Sequence, residues 1–122
     1  MISKNTFLTD VTNMVSMAVG LDVSCMNTDN ADYGHATNTV NVGVAGTSFQ
    51  NGDEFYNAMI EIVCCGSYPN RLNKVLELKT LIIDHIDADA NVIYDRNRVA
   101  MTIDRAINNA TIGTLVIPIG VC

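Results

Sequence analysis

The stretch from Phe55 to Cys65 limits the possible folds of this chain more than any other. Tyr56, Ala58, Ile60, Ile62 and Cys64 alternate along it, the period that lines one face of a β-strand with apolar groups. The opposite face carries Asn57 and Glu61, but also Met59 and Val63. One face therefore demands a core, and the other calls for partial cover. Such a strand needs partners beside it and a layer packed on it.

The flanking segments supply both. Val40, Val42 and Val44 alternate with Asn41 and Gly43, which predicts a preceding strand. Gln50-Asn51-Gly52-Asp53 joins the two, and Asn-Gly is a strong short-range hairpin signal. Gly43 and Gly46 predict a bulge or bend in the first strand. After Cys65, residues 70–86 read as the clearest helix, with Leu72, Val75, Leu76, Ile82, Ile83 and Ile86 in a stripe widened by Leu78 and Leu81. Pro69 suits its first turn, and Ser67 or Asn70 its cap. Strands over 98–105 and 114–121 follow, with a turn at Asn108-Asn109. Pro118 cannot donate a ladder hydrogen bond, so the last strand is expected at an edge or bulged there. At the start, Phe7, Leu8, Val11, Met14, Val15 and Ala18 predict an amphipathic helix over 6–19, capped by Ser3 or Asn5 and stopped at Gly20. Residues 27–39 have turn composition without periodicity, and read as a long loop or a protruding excursion. The order is α-β-β-α-β-β. It predicts one α+β domain over 1–122: an antiparallel-rich sheet of about four strands with two main helices on one face.

Composition narrows the function classes. The chain has 122 residues, 48% hydrophobic and 16% charged, so a packed core is expected and disorder is not. The formal charge is −6, and only Lys4, Arg71, Lys74, Lys79, Arg96, Arg98 and Arg105 are basic. Simple nucleic-acid binding is disfavoured, because gripping phosphates needs a basic face. No apolar run has the length of a membrane span. Polar residues interrupt the N-terminal helix where a signal peptide would be apolar, so a reducing cytosol is expected and the Asn109-Ala110-Thr111 sequon carries no meaning there. Cys25, Cys64, Cys65 and Cys122 show no metal-finger spacing and are expected as free buried thiols.

Candidate chemistry is sparse. Asp84, His85, Asp87, Asp89, Asn91 and Asp95 form the most chemical-looking cluster. Read as a calcium loop, Asp87, Asp89 and Asn91 fill the first three ligand positions and Asp95 the ninth. Val92 then stands where the sharp turn needs Gly, and Arg98 where a bidentate Glu should close the cage. A solvated helix end fits these residues better. A thiol nucleophile would need His35 or His85 beside Cys64 or Cys65, and nothing in the spacing brings them together. The segment Gly43–Ser48 lacks the Lys of a phosphate loop and is followed by a hairpin turn, not a helix. Asp95 and Asp104 with Arg96, Arg98 and Arg105 are expected as exposed cross-strand pairs. No catalytic residue and no cofactor are assigned.

The order of elements, from the Phe7–Val19 helix through the Tyr56–Cys64 strand and the Asn70–Ile86 helix to the Leu115–Val121 strand, resembles the tail terminator (tail-completion) proteins of long-tailed bacteriophages. The resemblance covers nearly the whole chain and rests on element order and size. It implies a structural virion protein of the tail or neck, assembled in the host cytoplasm. Such a protein forms a homo-oligomeric ring, a hexamer in the family, between the tail tube and the head connector. DNA would pass through without sequence-specific binding, and no membrane is involved. Six copies would carry about −36, and an acidic lumen repels phosphate so that DNA can slide. Another neck, head-closure or adaptor subunit is the near alternative. A small metal- or ligand-binding protein using the Asp84–Asp95 acids is the distant one. Contact regions are expected at the 46–54 hairpin tip, the 27–37 loop and the 106–113 turn.

Overall fold

A computed structural model describes residues 3–20, 23–26, 38–50, 52–89, 92–94, 99–105 and 110–121. The elements are α1 (Lys4–Val19), β1 (Ser24–Met26), β2 (Thr39–Gln50), β3 (Asp53–Cys65), α2 (Tyr68–Ala88), β4 (Val92–Tyr94), β5 (Ala100–Arg105) and β6 (Ala110–Val121). The α+β class and both expected hairpins hold. The strand count is larger than expected, six against about four, because β1 and β4 are three-residue strands too short to show a period.

The sheet runs β1-β2-β3-β6, and β4 and β5 share the far edge of β6. β1 lies parallel to β2, and every other pairing is antiparallel, so the sheet is mixed but antiparallel-rich. β6 is therefore an interior strand, not an edge. Proline is accommodated by a break in the ladder beyond it. Pairing with β4 stops at Tyr94–Ile119 and resumes with β5 at Ala100–Val116, so among the described residues Ile117 and Pro118 have no strand partner on the outer side. Pro118 thus stands level with an interruption in the described outer pairing, a position where a residue without an N–H is tolerated.

Both helices pack on one face. Val40 and Val42 of β2, Ala58, Ile60, Ile62 and Cys64 of β3, and Leu115, Ile117 and Ile119 of β6 meet Phe7, Val11 and Val15 of α1 and Val75, Leu78, Ile82 and Ile86 of α2. Ser3 caps α1 by accepting from the Thr6 N–H at 3.2 Å. The Phe7 and Tyr56 rings, 4.8 Å between centroids, pin the start of α1 to β3. The Cys25 thiol donates to the Thr12 carbonyl, tying β1 to the same helix. On the other face, Asn41 and Val63 are almost fully buried, so the partial cover expected there exists.

Arg71, in the first turn of α2, is 9% exposed and joins three elements. Its Nε donates to Thr111 Oγ1 of β6 at 2.8 Å, and its Nη1 donates to the Gly66 carbonyl between β3 and α2 at 3.0 Å. A buried guanidinium is tolerated because such acceptors replace water.

Gly113 sets how closely α2 approaches β6. A Cβ there would lie 2.5 Å from Val75 Cγ1 and 2.9 Å from Met101 Cε. The β-branched Val75 has little freedom to turn away. Gly113→Ala should destabilise the fold by about 1–3 kcal/mol, and Val75→Ala in the same chain should recover part of that loss. Denaturant melts of the two single variants and the double variant measure this, and additive losses would contradict the contact.

Candidate functional site

The expected chemical sites do not assemble among the described residues. Asp84 and Asp87 are exposed on α2, Asp87 lies in its last turn, and Asp89 is the C-cap residue. Val92–Tyr94 is already paired to β6, so the described part of the 87–95 stretch is helix end and strand and not a wrapped loop. Asn91 and Asp95 lie outside the described residues, as do His35, Arg96, Arg98, Cys122 and the Asn108-Asn109 turn. No group of three or more His, Cys, Asp or Glu that could hold a metal is present among the described residues. Nor is any helix among them long and apolar enough to cross a membrane. In the ladder Asp104 is opposite Ile112 and Arg105 opposite Thr111, while Asp95, Arg96 and Arg98, the other members of the expected charge pairs, lie outside the described residues.

None of Cys25, Cys64 and Cys65 is in a disulfide. Cys64 and Cys65 close β3 just before α2, whereas His85 stands in the last turn of that helix. At 1.5 Å per residue, His85 is roughly 25 Å along the axis from the helix start. The fold thus separates this thiol–imidazole pair. Burial pushes the Cys64 thiol up to about 12, with Cys65 and Glu77 adding to the shift and Lys74 opposing it. Burial alone pushes Cys25 up to about 11. Both are poor nucleophiles at neutral pH.

Two features do present unsatisfied surface. The first is an arm. β6 flanks β3 only as far as Tyr56, so the end of the β2–β3 hairpin runs on as a two-stranded ribbon from Ser48–Phe55 to Gln50–Asp53. A register shift between Val44 and Thr47 marks its base, where Gly46 adopts φ 118°, a value that side chains disfavour. Gly52 completes the tight turn at φ 84°. Ser48 Oγ donates to Asn57 Oδ1 at 2.8 Å and ties the ribbon's two strands together. Near its tip, Phe49 is 69% exposed and sits directly opposite Glu54, on the face that the helices cover further down. The exposed tip expected at 46–54 is therefore present. Residues 27–37 and 106–109 lie outside the described residues. In the rest of the third expected contact region, Ala110, Thr111 and Gly113 are buried and Ile112 is half-buried.

The second feature is a groove of about 290 Å³ beside α2, lined by Lys79, Ile83, Val99, Met101 and Leu115. It forms because β5 extends the sheet beyond the width that α2 covers. Leu76 and Ile103, 40% and 44% exposed, are further apolar groups on the α2 and β5 elements that build it. Lys79 is its charged residue, and no ion pair engages it among the described residues. The helical stripe predicts burial for Leu76 and Leu81, but each is 40% exposed, because the outer flank of α2 is not covered by the sheet. Periodicity could have suggested the Leu72–Leu76–Lys79–Ile83 flank, but not that β5 would lie beside it.

No protein-family model matches this chain, and no curated protein matches it significantly.

The buried thiols carry a pH dependence. Folding raises their pKa values, so their contribution to stability is complete below about pH 9 and is lost as pH rises above it. Cys64→Ala should flatten the decline in stability measured by denaturant melts above about pH 9. An unchanged decline would remove Cys64 as its source. Native protein at neutral pH should also leave Cys64 unmodified by iodoacetamide.

Proposed function

We propose that this chain is a structural ring subunit of the tail terminator type, acting in a phage neck and not as an enzyme. The observation that carries the proposal is the β2–β3 arm, which extends past its own sheet with an aromatic side chain left in water. An exposed Phe on a two-stranded ribbon has no stabilising role within one chain, whereas it gains burial against a neighbour.

The sheet edges agree with this. β1 covers β2 only from Thr39 to Asn41, and from Val42 onward no described strand pairs on that side. β5 forms the opposite edge. Open edges at both ends suit repeated lateral contact in an oligomer. The formal charge of −6 suits a lumen that passes DNA without holding it. A head-closure or adaptor subunit would share these features, and co-purification with tail-tube as opposed to portal protein distinguishes the two.

Mass photometry and negative-stain microscopy of the purified chain, alone and with isolated tail tubes, test the proposal. Rings with six times the 13.2 kDa chain mass are expected. Monomers under both conditions at the highest soluble concentration would overturn it.

A further inference from the structure

We propose that the arm and the groove are two halves of one contact: the hairpin tip of one copy docks in the α2–β5 groove of the next, with Phe49 against the apolar floor and Glu54 facing Lys79. This rests on the ring-subunit proposal and assigns the residues that would join its copies.

The fit is chemical and steric. The groove is about 290 Å³, smaller than most ligand pockets and suited to a single large side chain. Its floor of Ile83, Met101 and Leu115 is apolar, and Met101 is unbranched and can adjust around an aromatic ring. The tip offers an aromatic ring and a carboxylate side by side, because Phe49 and Glu54 are direct cross-strand neighbours on the same face. The groove offers an apolar floor with an ammonium at its border. Neither Lys79 nor Glu54 forms an ion pair among the described residues. In a chain of net charge −6, an acidic tip approaching another copy meets repulsion over most of the surface, and Lys79 marks where it is relieved.

The contact must run between chains and not within one. Phe49 is 69% exposed, so it does not fill the groove of its own chain. β6 lies between β3 and β5, which puts the hairpin and the β5 edge on opposite sides of that strand. Tip and groove are different surfaces, so successive contacts run head to tail and can close into a ring.

Charge exchange tests the pairing. Lys79→Glu and Glu54→Lys should each weaken assembly about tenfold, and the double variant should return to within about threefold of the native chain. Phe49→Ala should weaken it by about tenfold or more. Circular dichroism melts check that these surface variants fold. Under mild oxidation, a chain that keeps Phe49 and carries both Glu54→Cys and Lys79→Cys, the two positions placed face to face, should give a covalent series extending beyond the dimer, and either single variant should not. Rings that form normally in all three charge variants would overturn this contact while leaving the ring proposal standing. A covalent series ending at the dimer would overturn the head-to-tail direction. Absence of any assembly or cross-link in the native and cysteine chains would overturn both proposals.

Discussion

Ten successive residue pairs between β3 and β6, from Tyr56–Ile119 to Cys65–Ala110, join the two hairpins into one sheet. Everything else is placed relative to this ladder. The strands it unites are separated along the chain by α2, β4 and β5, so the pairing must overcome a substantial loop-closure entropy. Burial makes that possible: Ala58, Ile60 and Ile62 of β3 and Leu115, Ile117 and Ile119 of β6 turn toward the helices and are excluded from water. Gly113 lets Val75 settle between them, and Arg71 fastens the start of α2 to Thr111 at the ladder's lower end.

The same ladder explains where the molecule is unfinished. Because β6 stops flanking β3 at Tyr56, the remaining hairpin continues as a free ribbon. Because β6 also accepts β5 on its far side, the sheet grows wider than α2 and leaves a groove at that flank. The arm and the groove are thus consequences of one arrangement, separated by the width of the central strands. Their complementarity is the basis of the contact proposed between copies.

Much of the fold was legible along the chain. Alternation in Val40–Val44 and Tyr56–Cys64 set both strands and their buried faces, and Asn51-Gly52 set the turn between them. The stripe from Val75 to Ile86 marked α2, with Ser67 and Pro69 at its start. Local patterns suffice here because a strand's period and a helix's stripe are imposed by burial on one side. The short strands β1 and β4 escaped notice because three residues carry no period. Pro118 was informative but ambiguous: its missing donor could be accommodated at an edge or by an interrupted neighbour, and the fold takes the second route.

What the sequence by itself determined is the α+β class, the two hairpins, the main helices and the apolar positions of the core, together with a formal charge of −6. These follow from short-range periodicity and from composition. Only the tertiary structure decided that β6 is interior, that Arg71 is buried against Thr111, and that Cys64 and His85 lie at opposite ends of α2. It alone decided that Lys79 borders an apolar groove while Phe49 stands in water toward the other edge of the sheet. Those facts depend on which distant segments become neighbours, and neighbours are chosen by pairing and packing across the whole chain, not by any local pattern.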